Sequence, residues 1–402
     1  MIRLQAQLRL GAAALCALCA SGVVSKADDI RIGQTLPYSG PLSSFGAIGR
    51  AEEAYFGKIN AEGGIAGRKI KFISLDDGYS PPKTVEQTRK LVEQDEVLLV
   101  FGSLGTATNN AVHKYLSAKK VPQLFVLSGA LKWADPVHYP WTMPGTVTYQ
   151  SEGAIYGKYL LKNKPGARVA ILSQNDDFGR DYVQGFKNGL GENAAKMIVA
   201  ETTYESTSPT IGSQLAALKA SGADVVFGVT LGKFTGQFVK GIAELGWKPD
   251  VTFIPGPSSS LGFLAPAGLD NATGLISSSN QKDPNDPQWE TLQDMKEFKA
   301  FMREYLPNAD VANSSYAAGY IYAHLLLEVL KRCGDDFSRK NVARQAASLR
   351  DVSLPLLLPG VTINTALDDY RPFRQLKLRR FDGRSWIEFG DLMDDKTLEI
   401  HQ

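Results

Sequence analysis

Short apolar runs alternate along this chain with longer stretches whose apolar residues return every third or fourth position. The runs at Ile30–Leu36, 69–75, 97–101, 123–127, 168–173, 197–204, 224–229 and 251–254 read as strands. Between them, 47–61, 81–93, 106–117, 149–162, 178–190, 209–220 and 232–245 carry helical spacing. The punctuation agrees: Gly63-Gly64 stops the first helix, and Ser80 with the two prolines after it opens the second. Segments 290–305 and 313–333 read as two helices in sequence, and β character returns only at 376–380 and 386–389. Strands alternating with helices of this length imply right-handed βαβ units and parallel sheets covered on both faces. The series pauses at Pro144-Gly145 and restarts, so the expected fold is α/β with two lobes.

The first residues follow a different pattern. Arg3 and Arg9 precede an apolar run over 10–20, and Ser25-Lys26-Ala27 sets small residues where a signal peptidase reads. This predicts a secretory leader over residues 1–27, cleaved after Ala27, and a periplasmic location. The run is shorter than the roughly 20 residues a bilayer span needs. Cys16 and Cys19 lie within it, but Leu15 and Leu18 stand where a lipoprotein signal wants a small residue. The leader holds three basic residues and no acid, so its removal takes the net charge from +2 to −1. A near-neutral chain lacks the basic stripe that nucleic acid requires, so no such partner is expected. Of the 375 residues left, only Cys333 is a cysteine, and one thiol makes no internal disulfide. That length fits two domains.

In open parallel sheets, ligands bind outside the carboxyl ends of the strands, which directs attention to the strand-to-helix turns. After the strand at 97–101, Gly102 and Gly105 allow close backbone approach, and Ser103, Thr106 and Thr108 bring hydroxyls to a helix start. That combination suits an anion, above all a carboxylate. It equally suits an ordinary Ser/Thr helix cap. Other strand ends add Tyr38, Phe45, Ser128-Gly129-Ala130, Phe178, Thr230 and Ser258. Asp76-Asp77-Gly78 reads as a solvated turn, because no ligand-spaced partners follow. His113, His138, His324 and His401 lack zinc-site spacing, and no nucleophile elbow, phosphate loop or dinucleotide fingerprint stands in context. Cys333 follows an apolar helix and reads as a helix-end thiol. Neither catalysis nor a metal or cofactor is expected.

Together, several stretches resemble the periplasmic leucine/isoleucine/valine-binding family, the type I solute-binding proteins of ABC importers. They are Ile32-Gly-Gln-Thr-Leu-Pro-Tyr-Ser-Gly40, Ile59-Asn-Ala-Glu-Gly-Gly-Ile-Ala-Gly-Arg68, Gly102 to Thr108, Asn175-Asp-Asp-Phe-Gly179 and Ser314-Ser-Tyr-Ala-Ala318. The resemblance implies a clamshell with an N-terminal lobe over 28–146 and 278–352 and a C-terminal lobe over 147–277 and 353–402. Three hinge segments near 143–147, 274–280 and 350–365 would join them. It implies a monomer that closes on a small ligand and docks on a membrane permease. It also places a ligand carboxylate at Thr106, beside Gly105 and Ser103, with Phe45 as a wall and Phe178 as a lid. A further contact falls on Gly129 and Ala130 at the end of the neighbouring strand.

Three departures from the family pattern change the expected ligand. Amino-acid binders hold the α-ammonium with an acid after a Gly-Pro in the second lobe, but here Gly256-Pro257 precedes Ser258. Thr230 stands where an aromatic hydroxyl is usual, and Leu131 where a threonine is. An ammonium buried without an anion carries a heavy desolvation cost. The expected ligand is therefore a carboxylate without an amino group, an aromatic acid resembling benzoate or a short aliphatic acid. Tyr38, Phe45, Leu131 and Phe178 would supply its apolar surroundings. The alternatives are an amide, urea or branched-chain amino-acid receptor of the same fold, and a periplasmic ligand sensor.

Overall fold

A computed structural model describes residues 28–395, so the leader expected over 1–27 and His401 lie outside the described residues. The first half runs β1 (Ile30–Leu36), α1 (Gly46–Ala61), β2 (Ile70–Asp76), α2 (Pro81–Glu93), β3 (Leu99–Phe101), α3 (Thr106–Ala118), β4 (Gln123–Val126) and β5 (Thr142–Pro144). The second runs α4 (Tyr149–Asn163), β6 (Val169–Gln174), α5 (Asp177–Leu190), α6 (Ala194–Met197), β7 (Ile198–Tyr204), α7 (Gly212–Ala220), β8 (Val225–Val229), α8 (Lys233–Glu244), β9 (Val251–Phe253), α9 (Leu261–Leu264) and β10 (Ile276–Ser279). Then come α10 (Gln293–Tyr305), α11 (Ser314–Arg332), α12 (Arg339–Ala346), β11 (Gln375–Phe381) and β12 (Trp386–Asp394).

Two sheets result. The first, ordered β2-β1-β3-β4-β5, is parallel throughout. The second, ordered β12-β11-β10-β9-β8-β6-β7, is parallel from β7 to β10 and antiparallel where β11 and β12 join its edge. The sheets were expected to be parallel, so those last two strands modify the picture. A hairpin needs only a tight turn, and Asp382 Oδ1 builds it by accepting the N–H groups of Arg384 and Ser385, each at 2.8 Å. β3, β4, β6 and β8 are buried along their whole length, as strands covered on both faces must be.

The chain crosses between the sheets three times: after β5, after β10 and between α12 and β11. α10 and α11 return to pack on α1, and α12 packs on α11, so late sequence completes the first lobe. In each sheet the strand order reverses once, between β1 and β3 and between β6 and β8. A crevice opens at such a reversal, beyond the carboxyl ends of the strands. The chain places both crevices on one cleft.

Candidate ligand-binding site

The cleft holds a cavity of about 180 Å³, lined on one side by Phe45, Leu104, Gly105 and Thr106 and on the other by Phe178, Leu231, Pro257 and Ser260. At roughly 30 Å³ per water, it has room for a small molecule. Phe45 and Phe263 meet edge-to-face across the cleft at 5.1 Å between ring centroids. The lobes are closed on each other here.

The turn after β3 is held from behind by a buried polar chain. Thr142 Oγ1 donates to Gln123 Oε1 at 3.1 Å, and Gln123 Nε2 to Asn109 Oδ1 at 2.6 Å. Asn109 Nδ2 in turn donates to the carbonyls of Ser103, 2.9 Å, and Gly105, 2.6 Å. Gly105 sits at φ +105°, and a Cβ there would lie 2.4 Å from the Tyr79 ring, so only glycine fits. Three hydroxyls around the start of α3 are committed elsewhere. Ser103 Oγ accepts from Thr35 N–H and from the Thr35 hydroxyl, both at 3.1 Å; Thr108 donates back to the Leu104 carbonyl; Thr106 pairs with Ser128 Oγ at 2.8 Å. α3 has no side-chain cap, so its first-turn N–H groups stay open to an anion. Of the two readings of this turn, the ordinary cap is the one the structure does not adopt.

Of the residues singled out in the sequence, Phe45, Gly105, Thr106 and Phe178 line the cavity. Ser103, Ser128, Gly129, Ala130, Leu131, Tyr38, Thr230 and Ser258 do not line it. Ser128 and Gly129 support it: Ser128 Oγ also accepts the Trp133 indole N–H at 3.1 Å, and Gly129 accepts the Tyr149 N–H at 2.8 Å. Ala130 is buried, and Leu131 N–H donates across the cleft to Asp181 Oδ2 at 2.9 Å. Tyr38 pairs with Ser74 Oγ at 2.6 Å, and burial pushes its phenol up to about 12. Ser258 donates to the Thr230 carbonyl, and both side chains are fully buried in the second lobe.

Of the polar residues of the cavity wall that had no sequence signal, three matter to its chemistry. Tyr149, first in α4, brings its ring to Thr106, Ser128 and Gly129; burial raises its phenol, opposed by hydrogen bonding with those residues. Glu152, one turn on, is buried and accepts hydrogen bonds at both carboxylate oxygens. Oε1 accepts from Tyr156 OH at 2.5 Å, Gly256 N–H at 2.6 Å and Ser278 Oγ at 2.9 Å, and Oε2 accepts from Tyr182 OH at 2.5 Å. Burial and then the Glu152 charge keep both phenols well above their ordinary values, so they remain donors. An acid thus stands beside Gly256-Pro257 after all, contributed by α4 and not by the residue that follows the proline. Arg379 of β11 is the third, a guanidinium 6% exposed at the second-lobe end.

Among the described residues, no group of three His, Cys, Asp or Glu is arranged to hold a metal, and no helix is long and apolar enough to cross a membrane. Asp76 and Asp77 instead tie down their turn: Asp76 Oδ1 accepts the N–H groups of Tyr38 and Gly78, and Asp77 accepts from Tyr79 and Thr84. Cys333 is buried at the end of α11, hydrogen-bonded to the Val329 carbonyl at 3.3 Å.

The fold and the sequence have known counterparts. Leu/Ile/Val-binding protein homolog 2 of Brucella abortus (strain 2308) is 27% identical over 282 residues, covering 68% of this chain and 73% of that protein. A branched-chain amino acid ABC transporter structure from Thermus thermophilus, with bound valine, superposes with a TM-score of 0.81 at 17% identity, over 93% of this chain and 99% of that one. The solute-binding protein of an ABC transporter from Rhodopseudomonas palustris BisB5, in complex with 3,4-dihydroxybenzoic acid, does so with a TM-score of 0.76 at 22% identity, over 92% and 98%. Such identities establish a shared fold and leave the ligand open. Residues 29–384 match the family model for periplasmic binding proteins, and a match of that extent settles membership. This chain belongs to the periplasmic binding protein family, as a two-lobed solute-binding receptor of the type I fold.

Proposed function

We propose that the protein is exported through its leader and serves an ABC importer as a monomeric receptor for a small carboxylate, an aromatic or short aliphatic acid. The observation that carries this reading is the uncapped first turn of α3, which opens into a closed cleft beside the Thr106 hydroxyl. A carboxylate there gains charge-assisted hydrogen bonds and the positive end of the helix dipole. Phe45 and Phe178 offer apolar walls for the remainder of the ligand. The three crossings act as the hinge about which the lobes open and close. The solved relative that holds a hydroxylated benzoic acid is in keeping with this ligand class.

Glu152 gives a second reading its footing. Its carboxylate lies against the Gly256-Pro257 turn, where an α-ammonium would need an anion, so an amino-acid ligand is the competing possibility. That carboxylate already accepts from four protein donors, three on Oε1 and one on Oε2, and this engagement within the second lobe favours the first reading. Calorimetry with benzoate, butyrate and leucine separates the two. Binding of the simple acids with silent leucine is expected. Tight leucine binding beside silent acids overturns the proposal, and loss of that binding in Glu152→Gln would assign the ammonium to Glu152.

A further inference from the structure

Arg379 is a charge without a counterpart in contact. Its Nη2 donates to Ser259 Oγ at 2.5 Å, while Nε is buried with no hydrogen-bond partner. Among the described residues, no carboxylate lies within ion-pair distance of it. The nearest acids have other engagements. Asp283 accepts from Asn285 and from Trp386 N–H, Glu152 from the four donors above, and Glu388 Oε2 from Gln288. Glu388 is the Cα partner of Arg379 across β11 and β12, yet its Oε1 is likewise unpartnered. The guanidinium carbon lies over the Trp386 ring, 4.9 Å from its centroid, a cation–π contact that leaves the donor fork without an anion. Ser260, which lines the same cavity and follows the Ser259 that Arg379 contacts, also has a buried Oγ without a partner.

Buried donors left open at a cavity wall call for an explanation, and a guanidinium fork is matched best by an oxyanion. Resting on the carboxylate reading above, we propose that Arg379, with Ser260, forms a second oxyanion subsite in the C-terminal lobe, so that the preferred ligand is a small dicarboxylate spanning the cleft. One carboxylate meets the first turn of α3 on the first sheet, and the other meets Arg379 on the second. A molecule anchored at both ends interacts fully only when the lobes are shut. The second acid therefore adds to closure as well as to affinity, which a monoacid of the same skeleton does not.

The test is calorimetry on the mature chain with matched pairs, succinate against butyrate and terephthalate against benzoate. The diacid of at least one pair is expected to bind about tenfold or more tightly than its monoacid, the scale of one charge-assisted hydrogen-bonded contact. Arg379→Met is expected to abolish that preference, the diacid falling to about the affinity of its monoacid. Glu388→Gln is expected to retain it. Equal affinities within both pairs in the unaltered protein overturn the proposal without any variant, so a misfolded Arg379→Met does not shelter it. Loss of the preference in Glu388→Gln also overturns it, because Arg379 would then serve to balance that acid. If none of the four acids binds, the carboxylate reading itself falls with it.

Discussion

Thr106 begins α3 with its hydroxyl on Ser128, and the N-cap before it is Gly105, whose lack of a side chain leaves the first turn uncapped. Thr106→Val keeps the shape and removes the hydroxyl, so carboxylate affinity is expected to drop by about 0.5–3 kcal/mol, alongside a lowered melting temperature from the lost bond to Ser128. Titration calorimetry reads this directly; unaltered affinity would place the anion elsewhere. Thr106 and Gly105 were legible in the sequence because a glycine-rich turn between a buried strand and a helix has few physical uses. Glu152 and Arg379 were not. Glu152 is one acid among many on a helix, and only the arrival of Tyr156, Tyr182, Gly256 and Ser278 makes it a buried anion. Arg379 and Arg380 are neighbours on β11, one buried and one exposed, and strand alternation alone does not say which. An irregularity in register between Leu376 and Leu378 further blurs the pattern.

α4 and α5 form the tightest helix pair of the molecule, and they hold Tyr149, Glu152, Phe178 and Tyr182 at the cleft. Their contact is made by backbone against backbone. A Cβ at Gly157 would lie 2.4 Å from the Phe186 carbonyl, and one at Gly189 2.3 Å from that of Ala154. Glycines in a helix interior cost roughly 1 kcal/mol each against alanine, so packing outweighs propensity here. Gly157→Val is expected to lower unfolding stability by about 1–3 kcal/mol, seen as a reduced urea midpoint, because the helices must move apart. An unshifted midpoint would mean the pair yields freely. The helical spacing over 149–162 and 178–190 predicted both helices but not their contact, since a glycine face has no hydrophobic signal.

Across the cleft, Asp177 on α5 accepts from Lys132 at 2.6 Å and from Asn110 at 3.0 Å, both carried by the first lobe. The Lys132 ammonium holds the Asp177 carboxyl well below the usual carboxylate range against an opposing effect of burial, and Arg180 and Asn110 add to the lowering. A lowered pKa in the closed form means closure gains from this group above the ordinary carboxylate pKa, about 3.9, and loses that gain as pH falls through the depressed value. Ligand affinity is therefore expected to be flat near neutrality and to weaken in acid below about pH 4. Asp177→Asn should weaken binding at neutral pH by about 0.2–1 kcal/mol, the usual scale of a half-exposed ion pair, and remove the part of the acid dependence that exceeds protonation of the ligand's own carboxylate. An acid profile identical to that of the unaltered protein would remove Asp177 from the latch.

At the scale of the whole chain, the alternation of buried runs and amphipathic stretches by itself determined two α/β lobes. Burial of continuous apolar strands leaves few other architectures. It also singled out the glycine-rich turn before α3, because glycine freedom and a helix start are both local features. Only the tertiary structure decided that β11 and β12 run antiparallel onto β10, that α10, α11 and α12 return to the first lobe, and that Glu152 and Arg379 share one cavity with Thr106. Those facts depend on contacts between residues more than a hundred positions apart, such as Gly256 with Glu152 and Arg379 with Ser259. No local pattern of hydrophobicity carries such a contact, because it arises from how the three crossings fold the chain back on itself.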